Sequence, residues 1–177
     1  MFVMYERNCV NWQFRRSNAF ALILRALNCP SLTNVVFRGV WVPFVSQSLH
    51  RLTMTLETFG DAGPAAGDAR PTAELLAQTI IVPHARTLEC LSLEGAFKSL
   101  PDEVARPPRT RVHMERLFVL EVTGTFREVV QMLDQFSIPS TIGVMNIYVI
   151  EPALSNPLDT GAYTFSDVID RLGKSMF

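Results

Sequence analysis

Hydrophobic residues recur along this chain in one short frame. Leu88, Leu91, Leu93 and Gly95 in TLECLSLEGAF superpose on Leu117, Leu120, Val122 and Gly124 in RLFVLEVTGTF, at an offset of 29 residues. The match continues to Phe97 and Phe126. The same frame fits Leu32, Val35, Phe37 and Gly39, and again Ile142, Met145, Ile147 and Val149. A fifth copy runs through Leu49, Leu52, Met54 and Leu56. The last two apolar positions of each frame are two apart. They point to one side of a short strand, and the residues between them point to the other. The leading leucine packs on the apolar side as the chain enters the strand.

The segments between the frames predict helices. Phe126 to Phe136 places Phe126, Val129, Val130 and Leu133 on one face. Asn18 to Asn28 is apolar nearly all round, as a buried helix is. A helix is expected from Thr72 to about Ile81, with Leu75, Leu76 and Ile80 inward and Pro83 closing it. A last helix starts after Thr164, with Asp167 at the capping-box position. Phe165, Val168, Ile169 and Leu172 form its stripe, and Gly173 ends it. Residues 57–71 read as a flexible Gly/Ala/Pro/Asp loop, and residues 1–17 carry no assignment. Frame starts are spaced by 17, 39, 29 and 25 residues. The last two spacings lie within the ~20–29 residue period of leucine-rich repeats.

The expected fold class is therefore α/β: an irregular leucine-rich-repeat-like solenoid over residues 18–177. Short parallel strands alternate with helices. The pattern calls for a further strand after Gly173, so the array reads as truncated.

Composition changes this picture little. Of 177 residues, 48% are apolar and 19% charged, and the net charge is −1. That is a globular chain without the basic excess of a nucleic-acid binder. Cys9, Cys29 and Cys90 match no zinc or disulfide framework and are expected to be free thiols. The N-terminus has no secretory h-region, and no apolar run approaches the ~18–20 residues that span a membrane. An intracellular protein, cytoplasmic or nuclear and without membrane contact, is expected.

Motifs for chemistry are absent. Gly173-Lys174-Ser175 lacks the earlier glycine of a phosphate-binding loop, because that position is Val168. His50, His84 and His113 form no metal-ligand pair by spacing, and no catalytic elbow or dinucleotide fingerprint occurs. No catalytic, cofactor-binding or metal residue is assigned. Arg106, Arg109, Arg111 and His113 form one basic cluster in a Pro-rich stretch, expected to be a solvated loop. Trp12 and Trp41 are expected in the core. The candidate functional residues are those facing away from the buried leucines: Arg38, Ser92, Glu94, Glu121, Thr123, Asn146 and Tyr148, with Val36, Thr53 and Thr55 in the same rows. Mixed charge and a tyrosine on one sheet face suit a protein partner better than a small molecule.

LECLSLEGAF, LFVLEVTGTFREVVQMLDQFSIPSTIGVMNIYV and LILRALNCPSLTNVVFRGV together resemble the C-terminal leucine-rich-repeat-like region of F-box proteins from mushroom-forming fungi. The resemblance covers roughly residues 18–173. It implies a non-catalytic module that holds the protein substrate of a cullin-type ubiquitin ligase. Two departures stand out. Ala96 and Thr125 occupy the region of the usual asparagine ladder, and the F-box itself is absent. The nearest lookalike, Leu100 to Val104, runs into Pro107 and Pro108 and is expected to be a loop. Adaptor binding would therefore need an F-box upstream. A stand-alone scaffold or decaying gene fragment is the alternative reading. A small enzyme with a dispersed site is a further one.

Overall fold

The structure, a computed structural model, describes residues 2–6, 9–13, 27–39, 41–56, 70–98, 111–150 and 165–175. Among the described residues the first six elements are strands: β1 (Phe2–Glu6), β2 (Cys9–Gln13), β3 (Leu27–Asn28), β4 (Asn34–Arg38), β5 (Phe44–Val45) and β6 (Arg51–Thr55). Helical pieces α1 (Ala73–Leu76) and α2 (Val82–His84) follow, joined by a π-helical stretch, Ala77–Ile81. Then come β7 (Cys90–Glu94), β8 (Val112–His113), β9 (Val119–Gly124), α3 (Phe126–Leu133), β10 (Phe136–Ser137), β11 (Val144–Val149) and α4 (Phe165–Ser175).

The fold is mixed α/β around a seven-stranded sheet of order β1-β2-β4-β6-β7-β9-β11. Only β1 and β2 pair antiparallel; every other neighbour is parallel. All five frames form strands of this sheet, aligned frame to frame. Val35, Leu52, Leu91, Leu120 and Met145 lie side by side, as do Phe37, Met54, Leu93, Val122 and Ile147. In the first four strands both rows are fully buried. Leu76, Ile80, Val130 and Leu133 are buried in the same core, so the helical elements cover this face. The unassigned segment 1–17 contributes β1 and β2 to the same sheet.

Each strand entry repeats one backbone device. Leu32, Leu49, Leu88 and Leu117 are buried at the turn before the strand. Beyond it, one carbonyl accepts two successive amides of the next strand. Thr33 takes His50 and Arg51; His50 takes Glu89 and Cys90; Glu89 takes Phe118 and Val119; Phe118 takes Gly143 and Val144. Ahead of four of these turns stands a two-residue strand. These pair in parallel, β3 with β5 and β8 with β10.

Before β7 that slot is helical, and a histidine ring takes over the pairing. The His84 Nε2 accepts from the Ser46 amide at 2.9 Å, and Nδ1 bonds the Ile80 carbonyl. An amide only donates and a carbonyl only accepts, so the ring is neutral with its proton on Nδ1. It stacks on Phe44 at 4.9 Å, and burial lowers its pKa below the ordinary 6.5. The folded chain therefore refuses a proton that the unfolded chain accepts. Stability is complete above the unfolded value and falls as pH drops through 6.5 toward the lowered folded value. The urea midpoint is expected to be lower at about pH 5 than at about pH 7.5, and His84→Gln is expected to flatten that difference. An unmoved wild-type midpoint would contradict a neutral, buried His84.

Several local expectations are corrected. Of the helix expected over Asn18–Asn28, residues 18–26 lie outside the described residues. Leu27 and Asn28 form β3 instead, because Leu27 donates to Pro43 O and Cys29 to Val45 O, both at 2.9 Å. Their backbone is committed to a partner strand, and tertiary pairing overrides the local pattern. Pro83 does not close the helix at Ile81: helical backbone continues to His84. Pro83 has no amide to offer, and the wider π stretch just before it, with the Val82 amide on Ala77 O, accommodates the ring. Leu75, expected inward, is 38% exposed, while Leu76 and Ile80 are buried. The helix expected to Phe136 stops at Leu133, since Phe136 is taken into β10. Gly173 lies inside α4 and does not end it. Thr164, and the whole 57–71 loop except Arg70 and Pro71, lie outside the described residues.

Candidate functional site

The strand face opposite the core carries the predicted residues. Alternation along five aligned strands builds two outward rows. One is Val36, Thr53, Ser92, Glu121 and Asn146; the other is Arg38, Thr55, Glu94, Thr123 and Tyr148. All seven candidates therefore share one surface. Arg38, Glu94 and Tyr148 are exposed, and Ser92, Glu121, Thr123 and Asn146 are half-buried between neighbouring strands. Tyr148 stands out at 59% exposure.

Hydrogen bonds across strands hold the two carboxylates in place. Thr55 Oγ1 donates to Glu94 Oε2 and Asn146 Nδ2 to Glu121 Oε1, each at 3.3 Å. Neighbouring strands are ~4.8 Å apart, so the surface is a grid of fixed spacing. Charge is graded along it. Arg38 and Arg51 sit on β4 and β6, Glu94 and Glu121 on β7 and β9, and β11 is uncharged.

The structure adds a third outward row and a rim that the sequence reading did not assign. Asn34, Arg51, Cys90, Val119 and Val144 lie in register on the same face. Beside them, at the strand entries, are His50, Glu89 and Phe118. His50 Nδ1 and Glu89 Oε1 are 3.1 Å apart, and Phe118 is 56% exposed. The signal was available: these residues fill the two positions between the first and second leucines of each frame.

Elsewhere the chemistry is sparse. Arg111 pairs with Asp134 at 3.5 Å, and His113 is exposed; Arg106 and Arg109 lie outside the described residues. Arg111 and His113 border an open recess of about 500 Å³ with Val82, Arg86 and Glu115. Arg86 and Glu115 meet across it at 3.6 Å. Cys29 and Cys90 are free and half-buried, and Trp41 packs half-buried against the core. Trp12 lies in β2, its side chain outside the described set, and the Leu100 to Val104 lookalike is likewise outside it. Among the described residues no group of three His, Cys, Asp or Glu could hold a metal ion, and no helix is long and apolar enough to cross a membrane. No protein-family model, curated protein or solved structure matches the chain.

Proposed function

We propose that this chain is a non-catalytic protein-interaction module, built as a leucine-rich-repeat-like array, that binds a protein partner on its open sheet face. One observation carries the reading. Five aligned parallel strands bring Arg38, Ser92, Glu94, Glu121, Thr123, Asn146 and Tyr148 onto one continuous, solvent-facing grid. Such a grid carries polar side chains of both charges at strand spacing and suits a protein surface. The resemblance to the repeat region of fungal F-box proteins narrows the partner to a ubiquitin-ligase substrate. In that arrangement an F-box upstream would hold the adaptor, and this chain would position the substrate for transfer chemistry done by other subunits.

The test is charge reversal at the centre of the grid. Glu94→Lys with Glu121→Lys removes one exposed and one part-buried cross-strand hydrogen bond, each worth about 1 kcal/mol to the fold. Circular dichroism should be unchanged. Proteins quantified in affinity purification from cells should fall about tenfold or more relative to wild type. Unchanged recovery would move the site off this face. An in-frame F-box in the full-length transcript would support the ligase role, and its absence would leave the stand-alone scaffold.

A further inference from the structure

We propose that the β9–β11 part of the outward sheet face takes an extended partner segment in which a lysine or arginine stands between two apolar residues. The inference rests on the face-binding reading and narrows the chemistry of its partner.

Charge selects where a cation goes. The outward side chains of β4 and β6 include Arg38 and Arg51. Those of β7 and β9 include Glu94 and Glu121, with Glu89 at the entry to β7. Strands β7, β9 and β11 contain no lysine or arginine. A cationic side chain is therefore attracted to the β7–β9 side and repelled from β4 and β6.

Glu121 is placed to meet that cation. Asn146 Nδ2 donates to its Oε1 at 3.3 Å, and both residues are half-buried. The bond engages one lone pair of the carboxylate and leaves others to accept from a partner. Half-burial also weakens screening by water and salt, so an opposite charge gains more here than at a fully exposed site.

Apolar groups flank the carboxylate along the strands. At one end Phe118 and Val144 are 56% and 40% exposed, and at the other Tyr148 is 59% exposed. A Cβ on Gly143 would fall within the Phe118 ring, so the bare glycine seats that ring against the entry to β11. An aromatic side chain already held in place loses little freedom on binding and is the usual kind of interface anchor. Val144, Asn146 and Tyr148 are successive outward residues of β11, and Asn146 lies opposite Glu121. The three positions are spaced by two residues, ~6.6 Å each. An extended segment repeats its own side chains on one face at the same interval. Its residues can therefore meet the three positions in turn as apolar, basic, apolar.

The test exposes the purified full chain to a library of short randomised peptides and reads the sequences retained. Lysine or arginine is expected at one position, with aliphatic or aromatic residues two places to either side. Anisotropy of a labelled, retained peptide then measures affinity. Glu121→Gln keeps an oxygen for Asn146 but loses the charge, and should weaken binding about tenfold. Phe118→Ala should also weaken it about tenfold. Arg38→Ala, three strands from β9's neighbour β11, should change it less than about twofold. Circular dichroism checks that each variant is folded. Retention of acidic peptides, retention of none, or full affinity in Glu121→Gln would each overturn the proposal. If that happened while Glu94→Lys with Glu121→Lys still lowered protein recovery from cells, the face-binding reading would stand and only this narrower inference would fall.

Discussion

Replacing Glu128 with alanine is expected to destabilise the chain by about 3–5 kcal/mol, the largest single effect foreseen for a polar residue here. Its buried carboxylate makes two connections, and its backbone amide a third. Its Oε2 accepts from the Thr125 amide at 2.9 Å while Thr125 Oγ1 accepts from the Glu128 amide at 3.3 Å. That reciprocal pair starts α3, and a negative group in the first turn also suits the helix dipole. Its Oε1 lies 3.0 Å from Arg70 Nη1, with the two side chains only 8% and 12% exposed. Arg70 Nη1 donates in addition to Gly95 O at 3.3 Å, so the pair ties the end of the 57–71 segment to both α3 and the turn after β7. Glu128→Ala removes the carboxylate half of the capping box and takes an anionic partner from a buried guanidinium. Glu128→Gln keeps an oxygen for the Thr125 amide and should cost less. Replacing both Arg70 and Glu128 with leucine should cost less than the sum of the two single changes, because the two charges of the pair are then removed together. Urea unfolding of the four proteins measures this. Additive losses would show that the pair is not coupled.

The second large effect is expected at Gly95. Its φ of +53° lies in the left-handed region, and a Cβ there would stand 2.7 Å from the Leu56 carbonyl oxygen. That oxygen belongs to backbone and cannot rotate away. Gly39 supplies the control: its φ is +73°, but a Cβ would meet nothing within 4 Å. Gly39→Ala should therefore cost only the conformational penalty of about 1–2 kcal/mol. Gly95→Ala adds the clash and should cost about 3 kcal/mol or more. Equal losses in thermal or urea unfolding would mean that Leu56 gives way. The two glycines end the same frame, so the difference between them comes from the neighbouring strand.

The frame itself was legible because burial in a strand has period two. Once Leu91 and Leu93 are assigned inward, Ser92 and Glu94 have one direction left. A one-residue slip would turn every leucine outward. Register is therefore a property of the pattern, and five frames predicted the same outward residues that five strands display. The resemblance to F-box repeat regions added an expectation about the partner and nothing to this geometry.

What the sequence by itself determined, then, is local and periodic: which residues form the five aligned strands, which side of each strand is buried, and where the candidate face lies. Tertiary structure decided everything that depends on a partner distant in the chain. Leu27 and Asn28 became strand because β5 accepted their backbone. His84 became a hydrogen-bond acceptor because a helix stands where a two-residue strand would have paired with Ser46. Glu128 and Arg70, 58 positions apart, became one buried pair. The half-buried apolar row of β11 likewise follows from its place at the side of the sheet among the described residues. Periodicity encodes how a segment is buried. It does not encode against what, because that is settled by the whole fold.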